Sequence, residues 1–353
     1  MSAPRNHAYL KTRVSIFASR LISPDDVARL KQMSLRQLGE SYGLLPIFEQ
    51  ELSTGQKSGF VEQALIQNLM DELLVLLRPL SGHARGLLLY WPRKYELYNL
   101  KTLIRGKLHH LPMQEIRHNL YAMPENIRLP HESLLQAENV LEMLRLLEQG
   151  PYSQIARQAR LVFEEHHENF SLGAAIDRLY YTGMLARANM TDSKDTRGLK
   201  KAIGSMIDRQ NILWMMRYRL VYHFAPSEAY YLLIPYGGQI QRNNLLELAN
   251  LESLEAIIDH LPEPFQSLLT GVAHITEVRQ RLDRWVAHEL HKLMRNSQDA
   301  VVSALCYLMI RDMDIWRVYA IIQSKLLEMD PALLNEAVPS GFDGSAMSHE
   351  EVA

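Results

Sequence analysis

The chain has 353 residues, 38 Lys and Arg against 40 Asp and Glu, 47% hydrophobic residues and a formal net charge of −2. That length exceeds one simple core and predicts two or three domains, and the interspersed charges exclude the massed Lys and Arg of a nucleic-acid surface. One cysteine, Cys306, excludes an intrachain disulfide framework; set in the apolar run Val301 to Ile310, it reads as a buried small hydrophobe in a reducing cytoplasm.

Tyr9 to Leu21 is predicted as a lead helix, stopped near Ser23-Pro24, where Ser, Pro and two Asp make a good start for the next one. A long helix follows at Phe60 to Leu77, with Leu65, Leu69, Leu73 and Leu76 in helical register, and another helix at 94–108. The stretch Glu72 to Trp91 contains Arg78, Pro79, Gly82, His83 and Arg85, too interrupted for the roughly 20 apolar residues of a membrane span. The next long helices fall at Leu172 to Ala188 and Glu277 to Met294, followed by helices beginning at Asp208 and Asp314. Connectors at Pro79 to Gly86, Asp192 to Gly198 and Asn296 to Asp299 join each long helix to the one after it. Pro235-Tyr-Gly-Gly238 reads as a turn whose glycines adopt positive φ. No alternating strand pattern stands out, so the fold class is all-α, and the small, polar segment 339–353 is expected to be a disordered tail.

One pattern recurs three times. Glu96, Asp208 and Asp314, spaced by 112 and 106 residues, each precede a polar residue at +3, an apolar run and a base at +11. The polar residues are Asn99, Asn211 and Arg317, and the bases are Lys107, Arg219 and Lys325; at +9 stand Arg105, Arg217 and Gln323. Eleven residues of α-helix turn through roughly 1,100°, so acid and base share a stripe three turns apart. An acid near a helix start and a base near its end also suit the helix dipole, which makes ordinary helix design the plain reading of the charges. The long helices align as well: Gln67, Asp177 and Asp283 lie 29, 31 and 31 residues before the acids. The chain therefore reads as three helical units, 1–130 with the lead helix, 131–240 and 241–338, each pairing a long helix with a motif helix. Ile212 to Met216 leave the second motif helix almost no polar side, so Trp214 is expected to be buried.

The repeat, the opening Ala8-Tyr-Leu-Lys-Thr-Arg13 and the segments Tyr98 to Lys107 and Asp208 to Ile212 resemble the C subunit of bacterial and archaeal V/A-type ATPases, whose counterpart in eukaryotic V-ATPases is the d subunit. The resemblance runs from about Tyr9 to Val338. It implies a funnel of three units around a pseudo-three-fold axis. It also implies a non-catalytic rotor adaptor between the central-shaft subunits and the membrane rotor ring, peripheral on the cytoplasmic face. It carries no catalytic residue, cofactor or metal. Arg317 and Gln323 depart from the pattern of the other two copies, which argues for a structural role of the shared acid, apolar run and base.

Other constellations compete with that reading. Glu115…His118 and Glu164…His167 have the Glu-x-x-His spacing of di-iron bundles, the alternative being a metal-dependent bundle enzyme, but two such pairs are close to chance. His288-Glu-Leu-His291 misses the His-Glu-x-x-His zinc pattern and reads as a solvated polar face. No phosphate-binding Gly-rich loop and no Gly-x-Ser-x-Gly is present. Lys194, Arg197, Lys200 and Lys201 form a basic connector, a solvated loop that could also dock a partner. A third reading is a generic helical interaction module, its units stacked in an open line.

Overall fold

The computed structural model describes residues 3–166, 169–330, 332–334 and 338, and among them every regular element is helical. Serine caps start the early helices. Ser23 with Asp26, Ser34 with Gln37 and Ser53 with Gln56 form reciprocal capping boxes that satisfy the first N–H groups of Pro24–Gln32, Leu35–Tyr42 and Thr54–Leu77.

The long helices are Thr54–Leu77, Asn169–Met190 and Ile275–Asn296. The motif helices are longer than their sequence signature. The second runs Thr196–Met216 and continues as a π-helical turn, Arg217–Val221; the third runs Ala300–Leu326. Asp208 and Asp314 therefore sit in mid-helix rather than near a start. The first is split into Gly82–Tyr90 and Arg93–Leu108, because Pro92 has no N–H and its ring clashes with the carbonyl four residues back. Only this break puts Glu96 in a first turn. At the break the carbonyl of Trp91 accepts the hydroxyl of Tyr180, 2.6 Å away. Gly82, at φ 56°, turns the chain into that helix, so the first connector ends before Gly86.

Packing follows a cyclic order. Each long helix lies beside the motif helix that follows it, and each motif helix also lies against the long helix of the next repeat: Arg93–Leu108 on Asn169–Met190, Thr196–Met216 on Ile275–Asn296. The last one, Ala300–Leu326, returns to Thr54–Leu77, so the packing closes instead of running in an open line. It is the most enclosed helix of the chain, with every residue from Ala300 to Asp312 buried, Cys306 included. The lead helix Ala3–Ala18 packs on it through Leu10, Val14 and Phe17, whose ring stacks on Tyr307 at 5.7 Å. Trp214 is only half-buried, stacked on Tyr218 at 6.2 Å. Residues 339–353 lie outside the described residues.

Candidate functional site

The three repeat acids are wholly buried, and each holds the entry to a different repeat. Asp208 accepts backbone N–H bonds from Gly238 (2.9 Å), Gln239 (2.7 Å) and Ile240 (3.2 Å), which lead into the helix Arg242–Ala249. Asp314 accepts the N–H of Ile22 at 3.0 Å, two residues ahead of Pro24–Gln32. Glu96 accepts from Nε2 of His131 at 2.9 Å, the first residue of His131–Gln136. The first acid thus holds the start of His131–Gln136, the second the entry to Arg242–Ala249, and the third reaches back to the entry of Pro24–Gln32.

The bases grip the other ends of the same opening helices. Lys107 donates to the carbonyl of Leu135 at 2.9 Å, and Lys325 to that of Lys31 at 2.8 Å, each in the last turn of its target. Negative charge at an N-terminus and positive charge at a C-terminus is the arrangement the helix dipole favours, applied to a neighbouring helix rather than to the one carrying the charges. Arg219 breaks the pattern. It lies in the π turn, whose wider winding rotates it off the stripe of Asp208, and it donates to the carbonyl of Phe224 with Glu252 at 4.0 Å.

The +3 asparagines form a second set of joints. Asn99 bonds both backbone groups of Tyr121, accepting its N–H at 2.8 Å and donating to its carbonyl at 2.9 Å. Asn211 does the same to Ile234, at 3.0 Å for both bonds. The offsets, 22 and 23 residues, match. Arg317 instead turns back to pair with Asp314 at 3.1 Å. At +9, Arg105 and Arg217 are exposed.

Burial pushes the carboxyls of Asp208 and Asp314 up to about 6, against the pull of the three N–H groups at Asp208 and of Ile22, Arg317 and Arg311 at Asp314. Gly237 and Gly238 serve proximity rather than positive φ: a Cβ on Gly238 would lie 2.8 Å from Asp208 Oδ2 and 3.1 Å from the Gly204 backbone. An ion pair also bridges each contact between a motif helix and the next long helix: Lys101 with Asp177 (2.8 Å), Arg209 with Asp283, and Arg311 with Glu72 (3.3 Å).

The helices surround a cavity of about 830 Å³. One wall is the stripe Gln280, Arg284, His288, His291 and Arg295 of Ile275–Asn296; another is Met313, Trp316 and Arg317 of the third motif helix; Ile22 and Val27 complete the rim. His288 and His291 thus line a cavity instead of a solvated face, and desolvation together with Arg295 and Arg317 pulls His291 below the usual histidine range. Their neighbour Glu289 pairs with Lys201 at 2.7 Å. Of the predicted basic connector only Lys194 stands on the loop, which Ser193 ties to Asp299 and Asp195 ties to Ser297; the Asp195 cap starts the helix Thr196–Met216 so early that Arg197, Lys200 and Lys201 fall in its first turns, with Lys194, Arg197 and Lys200 exposed. Glu115 and His118 are exposed, Glu164 pairs with Arg160 at 2.9 Å, and His167 lies outside the described residues. Among the described residues no helix is long and apolar enough to cross a membrane.

The buried polar groups therefore define an all-α protein whose helices are stitched into a closed packing order around a cavity with a cationic wall and an apolar one. Residues 10–337 match the ATP synthase (C/AC39) subunit family, and the chain belongs to that family, whose members are non-catalytic components of a rotary ATPase. It is similar to the A-type ATP synthase C subunit of Methanosarcina mazei, 23% identical over 94% of this chain and 92% of that protein. It is also similar to those of Methanosarcina barkeri, 24% identical over 86% and 84%, and Pyrococcus horikoshii, 23% identical over 76% and 71%.

Proposed function

We propose that this chain is the rotor adaptor of its ATPase, joining the soluble central shaft to the membrane rotor ring from the cytoplasmic face, with the shaft seated in the cavity. The observation that carries the proposal is the closed packing order around that cavity. Three like joints, each an acid on the opening of the next repeat, make a stiff collar, and stiffness is what a torque-bearing link requires. The units 1–130, 131–240 and 241–338 are the three sectors of this collar, set around a pseudo-three-fold axis. Glu96, Asn99, Lys107, Asp208, Asn211, Asp314 and Lys325 act within it as structural residues. Arg105 and Arg217, both exposed, are candidates for contact with a partner. Lys194 on the connector and Arg197 and Lys200 in the first turns of Thr196–Met216, all exposed, offer a docking edge for the ring.

Co-purification tests this reading. The tagged chain should bring down both the shaft subunits and the membrane ring, and should bridge them when each is supplied separately. Binding to neither would overturn the proposal. Lys194→Glu with Lys200→Glu, both exposed, should weaken capture of the ring at an unchanged melting temperature; unchanged capture would remove this basic edge from the interface.

A further inference from the structure

We infer that the cavity receives an acidic polypeptide segment, a helix tip bearing carboxylates along one side, and that the cationic stripe of Ile275–Asn296 is what reads it. The inference rests on the adaptor reading and specifies the chemistry of the shaft's end. Eight basic or imidazole side chains line the cavity against two acids, Asp283 and Asp312. Both acids are already engaged, Asp283 by Arg209 and Asp312 by Lys94 at 2.5 Å and by the Tyr95 hydroxyl. Arg317 is held by Asp314. That leaves Arg279, Arg284 and Arg295 without an ion pair among the described residues, and Nε of Arg284 is buried with no hydrogen-bond partner. Desolvation and the nearby Arg209 and Arg217 depress Arg279 despite the opposing pull of Asp283, whose carboxylate is already paired with Arg209.

Shape selects a polypeptide over a small anion. From Gln280 to Arg295 the stripe spans about 22 Å at the rise of an α-helix, three to four turns of a partner helix. The facing wall is apolar, with Met313 and the exposed ring of Trp316, which a compact anion would leave wet and a helix side would cover. The occupant therefore presents carboxylates to Arg284 and Arg295 and an apolar side to Trp316.

The test titrates the full-length chain with the purified shaft subunits of its own ATPase by calorimetry. Arg284→Glu with Arg295→Glu should weaken binding by about thirty-fold or more at low salt, because like charges then face each other across the interface. Raising salt from about 50 to about 300 mM should weaken the parent and strengthen the variant, because salt screens attraction in one and repulsion in the other. Arg295→Glu alone, at an exposed position, repeats the test where the double variant fails to fold. Parent binding with less than a two-fold change in the folded variants overturns the acidic partner and leaves the adaptor standing. A parent chain that binds no shaft removes the adaptor reading and this inference with it.

Discussion

Asp208 and Asp314 occupy the same place in two repeats and make the same kind of joint at very different distances along the chain. Asp208 takes three N–H groups 30 to 32 residues downstream; Asp314 takes one, 292 residues upstream. Closing the longer loop carries about 2 kcal/mol more chain entropy by the logarithmic length law. The long-range joint has compensations the local one lacks: Arg317 beside the carboxylate, and a lead helix outside the repeat whose apolar face packs on the third motif helix. The glycine pair that lets backbone approach Asp208 has no counterpart at Ile22-Ser23. The comparison shows where a closed repeat differs from an open one: the seam between last and first repeat is made by an added element.

Four substitutions and one condition probe that contrast. Phe17→Ala removes the ring stacked on Tyr307 and should cost about 3–5 kcal/mol, the largest effect, because it loosens the element that closes the seam. A loss under 1 kcal/mol in chemical denaturation would mean that the lead helix is not the latch. Asn211→Ala and Asn99→Ala leave buried backbone groups of Ile234 and Tyr121 without partners and should each cost about 3 kcal/mol, equal within error if the two joints are equivalent. Gly204→Ala drives a methyl to 2.7 Å from the Gly238 Cα and should cost about 2 kcal/mol, weakening the local joint while sparing the seam; amide exchange at Gln239 against Ile22 reads the difference.

The smallest effect is the pH dependence. The folded-state values of Asp208 and Asp314, about 6, lie above the ordinary 3.8. The folded chain therefore holds these protons more tightly, and the resulting stability is full below about 3.8 and lost as pH rises through about 6. Between pH 7 and pH 5 the parent should gain about 1 kcal/mol per acid over Asp208→Asn or Asp314→Asn. An equal pH response in parent and variants would contradict the burial of these carboxylates in charged form.

Much of this was legible in the chain. Helical periodicity announced the all-α class, and the spacing of Glu96, Asp208 and Asp314 picked out three wholly buried acids. The partners of the acids were not legible, since backbone N–H groups at Gly238 to Ile240 and at Ile22 carry no side-chain signal. The dipole pairing holds within its own helix only for Glu96 and Lys107; Asp208 and Asp314 lie in mid-helix, and their partners are at the entries to other helices. Trp214 sits in an apolar run that suggests burial all round, yet run composition cannot say which side a neighbouring helix leaves open. The glycines near 237 were visible and their cause was misread, because close approach and positive φ favour the same residue. Arg284, His288, His291 and Arg295 form a clean helical stripe in sequence, but periodicity does not distinguish a face turned to bulk water from one turned to a cavity. The constant 22- and 23-residue offset from each asparagine to its backbone partner was the one unused signal.

The claim that this collar transmits torque is tested most directly by depletion and add-back. Membrane vesicles carrying the complete ATPase would be stripped of this chain and the soluble motor, then rebuilt with parent or Asn211→Ala chain, recording ions pumped per ATP hydrolysed. The account predicts that the isolated soluble motor hydrolyses ATP with or without this chain, that pumping vanishes in its absence and returns with the parent, and that the variant pumps fewer ions per ATP. Full pumping in vesicles rebuilt without the chain, or loss of hydrolysis by the isolated motor in its absence, would contradict it.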